Sequence, residues 1–165
     1  MNNFITDLSA SFIEGIKPFW CKIYNEYFPN MISESRHDND PELQKHGIDR
    51  IIFLNNGRKV SIDEKVRYVD FGDIILEESS SQYKPGWIEK DDLWIDFIFY
   101  VVLPSNKCYI LPFGATQNAW RKHKEQWKKI YKPVRAINNG YTTLSWAIPP
   151  NVLYSAITGS YIVNY

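Results

Sequence analysis

The stretch Asp49-Arg50-Ile51-Ile52-Phe53-Leu54-Asn55-Asn56-Gly57-Arg58-Lys59-Val60-Ser61-Ile62-Asp63-Glu64-Lys65 decides how this chain is read. Two runs rich in β-formers, Ile48 to Leu54 and Lys59 to Val69, flank Asn55-Asn56-Gly57-Arg58, a strong hairpin signal. The loop length sets which side chains meet. If Asn55-Asn56-Gly57 is a three-residue loop with Gly57 left-handed, Leu54 pairs with Arg58 and Asp49 lies opposite Asp63. Alternation then puts Lys65 and Arg67 on that same face. If the loop is Asn56-Gly57 alone, Asp49 faces Glu64 and Lys65 turns to the other side. The first register assembles two carboxylates and a lysine; the second splits them. The first is preferred, because Val60, Ile62, Val66 and Tyr68 then form one apolar face with Ile52 and Leu54. It places Glu64 on that apolar face, where it needs a partner.

Outward from the hairpin the periodicity changes. Upstream, Phe4 to Tyr27 has apolar residues at helical spacing, interrupted at Gly15 and Pro18, so a kink or two helices are expected. A polar loop is expected from about Pro29 to Asn39. Asp40-Pro41 reads as an N-cap with proline at the first helical position, and Gly47 as the stop. Downstream, Asp73 to Glu77, Trp94 to Leu103 and Lys107 to Pro112 read as strands. Thr116 to Tyr131 is an amphipathic helix, Tyr141 to Ile148 a last strand, and Val152 to Ile157 a short turn or helix. The expected fold is α/β, a mixed central β-sheet flanked by helices in a single domain, 1–165. Its parts are N-terminal helices (1–47), a strand meander carrying the site (48–112), and a basic helix with the last strand and turn (113–165).

Composition bounds the function. The chain has 165 residues, 44% of them hydrophobic, 16% aromatic, and a formal net charge of zero, so no global basic field advertises nucleic acid. Charge is nevertheless segregated. Acids dominate from Asp63 to Asp96, whereas Arg121, Lys122, Lys124, Lys128, Lys129, Lys132 and Arg135 face only Glu125 between Thr116 and Arg135. Either this is a phosphate-binding helix, with Arg121, Lys124 and Lys128 as its nucleic-acid contacts, or it is an ordinary solvated face. Cys21 and Cys108 lack metal-ligand spacing, and neither a signal-type leader nor a long apolar run is seen. A cytoplasmic protein without membrane contact is expected. His37, His46 and His123 are scattered, which supports no zinc site.

Asp49 followed by Asp63-Glu64-Lys65 on the next strand resembles the PD-(D/E)XK nuclease superfamily. The wider stretches Gln44-Lys45-His46-Gly47-Ile48-Asp49, Lys84-Pro85-Gly86-Trp87-Ile88 and Gly140-Tyr141-Thr142-Thr143-Leu144 are similar to a group of bacterial and phage proteins within it. The resemblance implies a restriction-endonuclease-like fold and a metal-dependent nuclease acting on DNA. It makes Asp49, Asp63 and Lys65 catalytic, with Asp49, Asp63 and Glu77 as ligands of magnesium or manganese. Glu64 and Arg67 are secondary candidates, and Glu14 or Glu26 could fill a first-helix acidic position. Glu64 stands where the superfamily usually has an apolar residue, and Ile48 where it often has proline. The alternative is a catalytically inactive nuclease-fold binding or assembly module. Whether a homodimer forms is left open.

Overall fold

The computed structural model describes residues 18–81, 84–138, 141–157 and 161–165. The helical reading of residues 4–17, Glu14 included, lies outside them. The described residues form two compact units, one of 18–70, 92–113 and 161–165, the other of 71–81, 84–91, 114–138 and 141–157.

The first unit is a six-stranded mixed sheet. Its strands are β1 (Met31–Arg36), β2 (Arg50–Leu54), β3 (Lys59–Arg67), β6 (Phe97–Val102), β7 (Lys107–Pro112) and β10 (Tyr161–Asn164), hydrogen-bonded in that order. β3 and β6 run parallel, and every other neighbouring pair is antiparallel. Helix α1 (Pro18–Tyr27) carries Trp20, Ile23 and Tyr24 at i, i+3, i+4 spacing and lays them, with Phe28, on one sheet face. That face is Ile52, Val60, Ile62, Phe99, Val101, Cys108 and Ile110, and it forms the unit's main core. Tyr24 and Phe99 meet with ring centroids 5.1 Å apart. Both cysteines are free thiols.

Short helix α2 (Pro41–Lys45) joins β1 to β2. The Asp40 carboxylate caps it by accepting from the Glu42 and Leu43 N–H groups at 3.1 Å each, and Gly47 ends the turn at φ +77°. Both were expected from Asp40-Pro41 and Gly47. The expected polar loop at Pro29–Asn39 is instead largely strand β1, paired with β2 from Met31↔Leu54 to Arg36↔Arg50. β1 is an edge strand of mixed Ser, Glu and Arg composition with Ile32 69% exposed, so no apolar alternation announces it. Tyr68 departs from the expected apolar face. It lies past the end of β3 and is exposed.

The second unit is an antiparallel four-stranded sheet of β5 (Lys84–Pro85), β4 (Ile74–Ser81), β9 (Tyr141–Ile148) and β8 (Pro133–Asn138), in that order. It also holds nearly all of helix α3 (Phe113–Ile130) and helix α4 (Pro150–Ala156). Ile74, Leu76, Ile88, Trp120, Trp127, Ile148 and Leu153 are buried there. In Lys84-Pro85-Gly86-Trp87-Ile88 the backbone must pass β4 closely. A Cβ on Gly86 would stand 2.1 Å from the Glu77 carbonyl oxygen, so only glycine fits. The mixed sheet was expected; the second sheet, and strands β8 and β10, were not. Among the described residues, no helix is long and apolar enough to cross a membrane.

Candidate functional site

The β2–β3 hairpin takes the register that assembles the site. Arg50 pairs with Ile62, Ile52 with Val60 and Phe53 with Lys59. The turn closes with the Leu54 N–H on the Arg58 carbonyl at 2.9 Å, and Gly57 is left-handed at φ +81°. Asp49 follows on, its N–H donating to the Ile62 carbonyl at 2.9 Å. Asp49, Asp63 and Lys65 therefore share a neighbourhood, while Glu64 points to the opposite face.

One step further along, the ladder breaks. In this register Glu64 and Ile48 should bond next through their backbones. Instead the Glu64 N–H donates to Asp49 Oδ2 at 2.8 Å, so a side-chain carboxylate takes the place of a backbone carbonyl. The Ile48 carbonyl accepts from Gln44 Nε2 at 3.0 Å, and the same nitrogen reaches Asp49 Oδ1 at 3.0 Å. Each oxygen of Asp49 is thus held by a separate donor.

Asp63 is buried at 6% exposure, and the Lys65 ammonium stands 2.8 Å and 3.1 Å from its two oxygens. Burial, and then the neighbouring Asp63 charge, push the Asp49 carboxyl from the usual 3.8 up to about 8. The Glu64 N–H, the Gln44 amide and the Lys65 charge pull it back only in part. Two adjacent acids that resist ionising together are suited to sharing a cation, since an added positive charge relieves both burial and repulsion. Arg67 lies farther along the same face, where its Nη1 donates to the Tyr100 hydroxyl at 3.1 Å.

Glu64 finds on its own face the partners it needed. Its Oε1 accepts from the Tyr24 hydroxyl and from Arg50 Nε, each at 2.5 Å, and Arg50 also pairs with Glu34 of β1. Burial raises the Glu64 carboxyl, and Arg50 opposes that shift. The acid in the usually apolar motif position thus ties α1, β1, β2 and β3 together. Removing it takes away one of the two carboxylates that hold a guanidinium only 3% exposed, and the acceptor of the Tyr24 hydroxyl. Glu64→Ala should therefore lose about 1–3 kcal/mol, the scale for leaving a buried donor without its acceptor, read from the urea midpoint at constant m-value.

Glu77 lies on β4 of the second unit, opposite Ser145. Arg121 pairs with Asp91, Lys124 with Glu89 at 2.9 Å, and Lys128 with Glu78, all within that unit, so acids offset these three cations locally. Trp120 and Trp146 donate to the same Glu89 and Glu78 at 2.7 Å each. Lys122, Lys129, Lys132 and Arg135 are exposed, as is Arg121. Trp87 is packed away at 8% exposure and presents no open ring for a base. His46 is buried rather than on the surface. It stacks on Trp94 at 3.5 Å, and its Nδ1 donates to the Asp92 carbonyl at 2.5 Å. Asp96 is exposed and accepts from the Ser61 N–H at 2.8 Å.

Among the described residues, no group of three or more His, Cys, Asp or Glu side chains is placed to hold a metal ion. The acids at hand for a cation are the pair Asp49 and Asp63. Magnesium typically retains several waters and takes one or two protein carboxylates plus substrate phosphate oxygens, so a pair of hard oxygen donors fits it. No family model, curated protein or solved structure matches this chain.

Proposed function

We propose that this protein is a metal-dependent nuclease that hydrolyses phosphodiester bonds in DNA, on a restriction-endonuclease-like core. The observation that carries this reading is the pair of half-buried Asp49 and buried Asp63 beside Lys65, with Asp49 pushed up to about 8. Asp49 and Asp63 would hold magnesium or manganese. When bound, such an ion supplies positive charge to the phosphate and acidifies a water. The chain's own part is to orient and to neutralise. Gln44 and the Glu64 N–H aim the Asp49 carboxylate, and Asp63 is buried beside it. Lys65 brings one ammonium to the place where phosphate charge develops. In the reaction a water oxygen bonds to phosphorus, the ester P–O bond breaks, and the leaving oxygen takes up a proton.

A second reading is favoured by one contact. Lys65 Nζ already touches both oxygens of Asp63, which is where a metal would bind. In that reading the lysine is a resident counter-ion and the domain a non-catalytic binding or assembly module. The test is cleavage of single-stranded, duplex and branched DNA, and RNA, with magnesium or manganese, by wild type and Asp63→Ala purified side by side. Cleavage by wild type alone is expected. Silence from both, with no manganese-dependent rise in melting temperature, would establish the module instead.

A further inference from the structure

The motif reading left Gln44 without a role. It sits five residues before Asp49, in helix α2, exposed, and outside the two-strand signature. We propose that Gln44 is the positioning residue of the Asp49 carboxylate: its side-chain amide stands in for the missing ladder partner and aims Asp49 at the cation. This rests on the cation-binding part of the function proposed above.

The geometry carries it in three steps. First, where the Asp49 carboxylate takes the Glu64 N–H in place of the Ile48 carbonyl, that carbonyl needs another donor. Gln44 Nε2 supplies one to Ile48 O at 3.0 Å. Second, the same nitrogen reaches Asp49 Oδ1 at 3.0 Å, while Oδ2 takes the Glu64 N–H at 2.8 Å. With one donor on each oxygen, the carboxylate plane is fixed and the remaining lone pairs stay available. Third, Gln44 is itself held from behind. Its helix is one turn long, yet Asp40 caps that turn, and Gly47 closes it with an N–H to the Gln44 carbonyl at 3.0 Å. A neutral amide suits this role better than a lysine would. It donates a hydrogen bond without adding a positive charge that would compete with the metal.

Second-sphere donors to metal-binding carboxylates are worth roughly 10–100-fold in metal affinity. Gln44→Met keeps the length and volume of the side chain and removes the donor. Because Gln44 is exposed, the metal-free melting temperature should stay near that of wild type, while manganese affinity, read by titrating the bound-metal EPR signal, weakens by about tenfold. Wild type that binds while Gln44→Met binds equally well overturns the positioning role and leaves the nuclease reading intact. Should wild type bind no manganese, the nuclease reading falls, and the Gln44 side-chain amide resonances then decide. They should move in Asp49→Ala relative to wild type; unchanged resonances would overturn the contact.

Discussion

Lys65→Ala should lower DNA turnover by about 10²–10³-fold, the loss that follows removal of one charged or hydrogen-bonding group aimed at developing charge. The structure adds a second, opposite effect. Lys65 Nζ lies on both oxygens of Asp63 and so competes there with any divalent ion. Without it, Asp63 loses its counter-charge while remaining buried, and manganese should bind at least as tightly as in wild type. A variant that binds metal well and turns over poorly is the mark of a group acting in the reaction. A lysine that merely stabilised the fold would lower both together. Single-turnover cleavage and manganese titration on the same preparations measure the two quantities. Retained turnover would sink the assigned role, and weaker manganese binding would show that the lysine supports the cation.

The carboxylate pair itself should make the protein less stable as pH rises. Asp49 titrates near 8 in the folded chain and near its usual 3.8 once unfolded. Between these values the folded state keeps a proton that the unfolded state has released, so raising the pH favours unfolding. The stabilisation is complete below about 3.8, declines through the interval, and is gone once the pH has passed about 8. Asp49→Asn removes this titration and the repulsion from Asp63. At pH 8, without metal, it should melt higher than wild type by about 2–4 °C for each kcal/mol relieved. It should also lose the manganese-induced rise that wild type shows. Melting curves from pH 5 to 8.5, with and without manganese, test both halves. A destabilised, pH-insensitive Asp49→Asn would mean that this carboxylate serves only to hold the broken ladder.

Much of the site was legible because the hairpin turn is local chemistry. Asn55-Asn56-Gly57 needs a left-handed residue, Gly57 supplies it, and the register follows from loop length. Once Leu54 bonds to Arg58, period-two alternation puts Asp63 and Lys65 on one face and Glu64 behind, and Asp49, just outside β2, is held beside them by its N–H on the Ile62 carbonyl. The helix cap at Asp40-Pro41 and the amphipathic helix α3 were readable for the same reason: their signals lie within one or two turns.

What escaped the sequence depended on partners far along the chain. Strand β1 has no apolar alternation and exists through its pairing with β2 and the Glu34–Arg50 contact. Strand β10 pairs with β7 across more than fifty residues, and β8 gains its place only beside β9. The acid Glu64 looked like a departure from a motif until Tyr24, forty residues away, was seen to hold it. The basic helix read as either a phosphate-binding or a solvated face, and only the structure sets Asp91, Glu89 and Glu78 against Arg121, Lys124 and Lys128. The sequence by itself therefore determined the hairpin and narrowed its register to two, the preferred one being that in which Asp63 and Lys65 share a face with Asp49, since turn geometry and alternation are local. Only the tertiary structure decided which charges are offset, that Asp49 resists ionising and that Gln44 aims it, because burial and long-range hydrogen bonds are properties of packed neighbours.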